Sequence, residues 1–335
     1  MSLAASRRAL PLAITLFCLC VLVILIGISV GSSGFVNFLD AWHDDVSWQI
    51  IWDIRIPRTI GAFAAGALLG LAGALAQAVF RNPLADPYLL GSASGAAFGV
   101  GLAFVFFGGS LIAAEILVQI GLTGAAFVGA VGAVLLTLLL ARGVQHTMRL
   151  LLAGIIVGVV MGAATSMLMF IRPDALQNMQ GFLLGSTAFV GWSSCWLMLS
   201  VLIFCAGLSW GLSFVLDALS LGESTALSLG VPLKKVRTLL VLAMALATGT
   251  AVAHTGLVAF IGLVAPHIVR SIVSVRQGSL VLLSALMGGL LLLVADVLAR
   301  AVLAPEELPI GVLTAFLGGG YLLFLLNRNQ TQESL

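Results

Sequence analysis

Apolar residues fill this chain in long blocks. Short polar, proline- or glycine-containing breaks separate them near 9–31, 58–80, 91–108, 113–140, 149–170, 191–214, 236–253, 256–269, 279–299 and 308–327. A helix of roughly 20 apolar residues crosses about 30 Å of hydrocarbon, so the pattern predicts ten membrane helices. The third and eighth blocks are short for a full span. They are expected to be broken or tilted, which a bilayer tolerates where protein shields the backbone or a cavity is lined. The predicted fold class is all-α: a polytopic membrane protein, with residues 1–335 forming a single transmembrane domain and no room for a separate soluble one.

Composition agrees with this pattern. With 61% hydrophobic and 8% charged residues, the chain lies far from the soluble globular range. The first block follows Arg7 and Arg8 and exceeds the ~7–15 apolar residues of a signal-peptide core. No convincing cleavage site follows it, so it reads as a retained helix with cytoplasmic flanking charge; a twin-arginine export signal is the alternative. Cys18, Cys20, Cys195 and Cys205 fall inside apolar blocks with neither a CxxC pair nor zinc spacing, and read as small packing residues. No metal site is expected. A net charge of +2 without a basic stripe gives no reason to expect a nucleic-acid partner.

With the N-terminus in the cytoplasm, Arg7, Arg8, Arg81, Arg142, Arg149, Lys234, Lys235, Arg237, Arg270, Arg276 and Arg328 lie inside, eleven of fifteen basic residues. The outside keeps Arg55, Arg58, Arg172 and Arg300 beside Asp40, Asp44, Asp45, Asp53, Glu115, Asp174, Glu306 and Glu307. The positive-inside rule therefore supports this threading, with both termini cytoplasmic. It also raises the question of why the stretch RIPR at 55–58 carries two arginines on the side where positive charge is scarce. Glycines such as Gly66 and Gly70, and Gly318 to Gly320, suit closely packed membrane helices.

Three connections carry candidate chemistry. In LDALSLGESTALSLGVPLKK, 216–235, Ser220 and Glu223 have capping-box spacing, while Gly230 and Pro232 supply a stop. A short surface helix over about 221–229 is expected, within a coupling segment of about 216–236, fit for a groove in a soluble partner or lying on the bilayer as a connector. In RNPLADP, 81–87, Pro83 and Pro87 stiffen a turn in which Asn82 and Asp86 can bond local amides. In GLVAFIGLVAPHIVR, 256–270, His267 reads as a helix-end residue more readily than as a ligand. His254, near the outer side, either meets a substrate or caps a helix.

These segments together resemble the permease subunits of iron-siderophore, haem and cobalamin ABC importers, the FecCD or BtuC-like family of type II importers. The similar stretches are RIPR (55–58), GALLGLAGALAQAVFRNPLADPYLLGSASGA (66–96), LSLGESTALSLGV (219–231), FIGLVAPHIVR (260–270), ADVLAR (295–300) and ELPIGVLTAFLGGGYLLFLL (307–326). They stand in family order across nearly the whole chain. One departure is LGGGY, where relatives often carry proline before the aromatic.

The resemblance implies a homodimer of ten-helix subunits in the bacterial inner membrane, two cytoplasmic ATPase subunits and a periplasmic binding protein. It implies that Arg55, Arg58 and Arg300 are sockets for acidic residues of that binding protein; headgroup anchoring is the other reading of these arginines. It places Leu221, Gly222, Glu223, Ala226, Leu229 and Gly230 in the coupling helix, and Asn82, Leu84 and Thr147 at a cytoplasmic gate. Gln77, Met167, Met169, Arg172 and His254 are candidate substrate-path residues. It also implies inverted repeats of helices two to five and seven to ten, of which Arg58-Thr59 and Arg237-Thr238 are the visible trace.

The chain itself is expected to bind no cofactor and to be no enzyme. Its only lysines, Lys234 and Lys235, lack the glycine-rich approach of a P-loop, so ATP and Mg are left to the partner ATPase. The rival of another class is an ion-coupled secondary transporter, which usually needs a mid-membrane ionisable group. Asp296 is the nearest candidate, but it lies toward the outer end and can pair with Arg300 at helical spacing. A passive channel is a third reading, without an acidic ring or carbonyl-filter signature. The expected cargo is a ferric siderophore or haem, with cobalamin as the alternative.

Overall fold

The computed structural model describes residues 3–31, 34–35, 44–107, 115–141 and 147–333. Helix α1 (Leu3–Ser29) is followed by a short antiparallel pairing of β1 (Val30–Gly31) with β2 (Gly34–Phe35). Next come α2 (Asp45–Ile50), a π turn (Ile51–Arg55) and α3 (Ile56–Phe80), which form one continuous rod. A 3-10 turn (Pro87–Leu90) precedes α4 (Ser92–Phe107), α5 (Glu115–Leu140), α6 (Thr147–Ile171), α7 (Pro173–Leu184) and α8 (Trp192–Gly211). The rest is α9 (Ser213–Ser220), α10 (Glu223–Ser228), α11 (Leu233–Thr255), α12 (Ile261–Ile272), α13 (Gln277–Ala301) and α14 (Ile310–Glu333).

Every expected span has a counterpart among the described residues. Among the described residues, seven helices are long and apolar enough to cross a membrane, and α4, α12 and α14 add three shorter apolar segments. The chain is thus an all-α polytopic membrane protein. The second span begins earlier than its hydropathy suggests, because α2 and the π turn prolong it. Pro57 has no N–H for the carbonyl four residues back and its ring crowds that turn; the wider π turn lies directly before it. Helices α7 and α9 are additions that the hydropathy pattern does not reveal.

The core is built around α3, which packs against α13, α11, α12 and α8. Its buried face is mostly alanine and glycine, whereas Leu, Ile, Val and Phe side chains of α1, α6 and α14 face outward. That distribution suits a lipid solvent, in which large apolar side chains gain nothing from burial and small ones let backbones touch. A Cβ added at Gly70 would stand 2.2 Å from the Ser284 carbonyl oxygen, and one at Gly66 2.3 Å from that of Gly288. The α3–α13 contact is therefore backbone against backbone. Cys20, Cys195 and Cys205 are buried, as packing residues should be, while Cys18 is exposed.

Candidate functional site

Two ends of the bundle carry the candidate residues. At the end where α3 begins, the three arginines converge but do not stand open. Arg300, 1% exposed, donates to the carbonyls of Gly27 at 3.0 Å and Val30 at 3.1 Å and also bonds Asp296 one turn back. Arg58 donates from Nε to Asp296 at 3.2 Å and grips Glu307 with both terminal nitrogens at 2.8 Å. Arg55 donates to the Ser29 carbonyl at 2.9 Å. Asp296 is fully buried and accepts a further bond, 2.5 Å, from the Thr187 hydroxyl. The arginines therefore latch α1, α3 and α13 together, with their donors engaged within the fold of the single chain. A buried guanidinium is stable only when paired and hydrogen-bonded, which is the condition met here.

The expected Asp296–Arg300 pair is present, with Arg58 and Thr187 as additional partners. A carboxylate so fully enclosed is poorly placed to load and release an ion. Of the four arginines placed outside by the threading, only Arg172 is exposed, at the N-cap of α7. Beside the latch runs a row of tryptophans, Trp48, Trp52, Trp192 and Trp196, with successive ring centroids 6.3, 5.3 and 6.4 Å apart. Trp192 donates its indole N–H to the Trp52 carbonyl at 2.9 Å. Such a row of amphipathic rings is the usual marker of the membrane–water interface.

At the opposite end, α3 stops at Arg81, which takes a left-handed conformation with φ +50°. Asn82 accepts from the Leu84 amide at 2.9 Å, and Leu84 is exposed. Asp86 caps the 3-10 turn by accepting from the Tyr88 amide at 2.7 Å, and Tyr88 donates its hydroxyl to the Val258 carbonyl at 2.9 Å. The Asp86 residue keeps some accessible surface, yet protein crowds its carboxyl, and this desolvation pushes its pKa up to about 6. The turn meets α6 where Gly154 lies against Leu89 and Leu90. Thr147, the first residue of α6, has a buried hydroxyl with no hydrogen-bond partner among the described residues.

Helix α10 is shorter than expected, Glu223–Ser228, and is not opened by a capping box. Its N-cap is Gly222, at φ +119°, and the Ser220 hydroxyl donates instead to the Asp217 carbonyl at 2.6 Å. The cause is α9, whose last residue is Ser220: the serine ends one helix rather than starting the next. The Glu223 side chain lies outside the described residues. Ala226 is buried against the bundle, whereas Leu221, Leu227 and Leu229 are exposed, and Gly230 turns the chain at φ +74°. This end thus presents leucines on and beside a short inter-span helix.

The five path candidates do not converge. Gln77, buried near the end of α3, donates to the Leu263 carbonyl at 3.2 Å and accepts from Arg270. Met167 is exposed on α6, whereas Met169 packs against a buried cluster that includes Val100 and Met179. His254 lines a cavity of about 560 Å³ between α5, α8 and α11, and none of the other four is among its lining residues. No sequence motif marked that cavity. Its polar residues come from three helices, and of these the sequence had singled out only His254.

Comparison with known proteins gives this geometry a lineage. The profile of the FecCD transport family matches residues 14–328. The chain is 39% identical over 292 residues to the vitamin B12 import system permease protein BtuC of Pectobacterium atrosepticum, covering 87% of this chain and 86% of that one. It is 37% identical over 324 residues to the hemin transport system permease protein HmuU of Yersinia pestis, covering 93% and 96%. A solved inward-facing structure of a metal-chelate type ABC transporter superposes with a TM-score of 0.83 at 29% identity, covering 94% of this chain and 98% of that one. With nearly its whole length matched by the family profile, this chain belongs to the FecCD transport family.

Proposed function

We propose that this chain is the non-catalytic permease subunit of an ATP-binding-cassette importer, passing an iron chelate, a ferric siderophore or haem, from a binding protein into the cell. The observation that carries the reading is the match, over 87% and 93% of this chain, to permease proteins of vitamin B12 and hemin transport systems, together with the likeness to a metal-chelate type ABC transporter. Cobalamin is the second reading, favoured by the 39% identity to a vitamin B12 permease. The enclosed Asp296 speaks against an ion-coupled transporter.

In this reading the protein sits as a homodimer in the bacterial inner membrane with both termini cytoplasmic. Two ATPase subunits dock at the α10 end, where exposed Leu221, Leu227 and Leu229 offer an apolar contact and Ala226 ties the element to the bundle. Gly222 and Gly230 bound the element, and Glu223 begins it. ATP-driven closure of those subunits pushes on α10 and switches the bundle between its two states. Asn82, Leu84 and Thr147 stand at that end as the gate. A binding protein docks at the arginine end, where an incoming carboxylate exchanges with Glu307 for the Arg58 fork while Arg55 and Arg300 hold the surface in shape. Exchange of one carboxylate for another changes little net energy, so such contacts set orientation and encounter rate rather than affinity.

The test is uptake into proteoliposomes holding this chain with its ATPase. Binding protein and labelled ferric siderophore, haem or cobalamin are supplied outside, with and without internal ATP. ATP-dependent uptake of an iron chelate is expected. ATP-dependent uptake of cobalamin alone would select the second reading, and uptake driven by an ion gradient without ATP would overturn both.

A further inference from the structure

The cavity between α5, α8 and α11 is not part of the latch, of the α10 end or of the turn at Asn82. Its lining changes character along its length. Near the tryptophan row stand Thr123, Ser193, Ser194 and His254, and deeper lie Phe127, Leu197, Val201 and Leu246. Along α11 the lining residues Leu246, Thr250 and His254 recur every four positions, on one face. At 1.5 Å per residue they span about 12 Å of depth. The Thr250 hydroxyl is buried, and no hydrogen-bond partner for it exists among the described residues.

Three observations bear on the occupant. The cavity opens on the apolar outside of the bundle, beside exposed Phe189, Trp196 and Val128. Its polar mouth is level with Trp192 and Trp196, whose row marks the interface. Its lining contains hydroxyls and an imidazole but no charged side chain, so it offers hydrogen bonds without a counter-ion for a phosphate. We propose that this groove is a lipid site: one phospholipid acyl chain lies along Phe127, Leu197, Val201 and Leu246, and the ester carbonyls accept from Ser193, Ser194, Thr123 or His254. Its volume, about 560 Å³, falls within the range of small-molecule sites. The inference requires only that the protein spans a membrane and is independent of the transported cargo.

The experiment uses the full chain in phosphatidylethanolamine–phosphatidylglycerol nanodiscs doped with a phosphatidylcholine carrying a diazirine in one acyl chain. Photolabelled residues are read by mass spectrometry. Labels are expected to concentrate on Phe127, Leu197 and Leu246, above those on the exposed Val159 and Phe316. Gly124→Phe fills the groove, since a Cβ there meets nothing within 4 Å. It should abolish the groove labels and leave those on Val159 and Phe316. Labelling of the groove no stronger than at Val159 and Phe316 would mean ordinary annular lipid and would overturn the proposal. A Val201→Cys variant, at the deep end of the groove, should resist modification at that position by a charged, water-soluble maleimide. Rapid modification would mean a water-filled groove and overturn it independently of how Gly124→Phe folds.

Discussion

At the scale of single residues, the Asp296 carboxylate holds the arginine end together. Asp296→Ala leaves Arg58 and Arg300 buried without their shared carboxylate, and removing one partner of a buried pair costs about 3–5 kcal/mol. A large fall in thermal stability in detergent is the expected outcome, with Asp296→Asn losing less because it keeps one acceptor oxygen. Asp86 gives a pH signature at the other end. Its carboxyl is raised from the ordinary value of 3.8 to about 6, so the folded state holds its proton more tightly than the unfolded one. The stability it contributes is complete below about pH 4 and is lost as pH rises to about 6. A thermal-melt series across that window should slope downward for the natural protein, and Asp86→Asn should flatten it while keeping the cap on the Tyr88 amide.

At the scale of elements, α3 depends on having no side chain at its crossings. A Cβ on Gly73 would fall 1.7 Å from the Gly262 carbonyl oxygen of α12, so Gly73→Ala forces two backbones apart. Overpacking of this kind costs on the order of 1–3 kcal/mol. Reduced yield of folded, monodisperse protein is expected, whereas Gly132→Ala, with nothing near its new methyl, should be neutral. The helices themselves were legible because a span announces itself by an apolar run. Helices α7 and α9 were not, since each is short and lies beside a longer helix. The Ser220–Glu223 spacing misled for a related reason: a capping signal cannot tell which of two adjoining helices it serves.

At the scale of the whole molecule, the two ends differ in chemistry. One is an ionic latch closed on itself, and the other exposes leucines on an element tied to the core by Ala226. Paired changes Leu227→Ser and Leu229→Ser should lower substrate-stimulated ATPase activity of the assembled complex several-fold without altering membrane insertion. Normal stimulation would remove α10 from the transmission path.

The chain order of apolar blocks, the side on which basic residues collect and the motifs of the FecCD family were written in the sequence, because each is a local pattern that a bilayer or a lineage imposes residue by residue. The family motifs likewise pointed to Arg55, Arg58 and Arg300. The Asp296–Arg300 pair, one helical turn apart, was legible in the sequence, but the other contacts of these arginines were decided by tertiary structure: Asp296 is 238 positions from Arg58, and Glu307 is 249. In a low-dielectric interior a guanidinium must find its acceptors wherever the packed helices bring them. The groove around His254 arose in the same way, from three helix ends that meet only when the bundle is assembled.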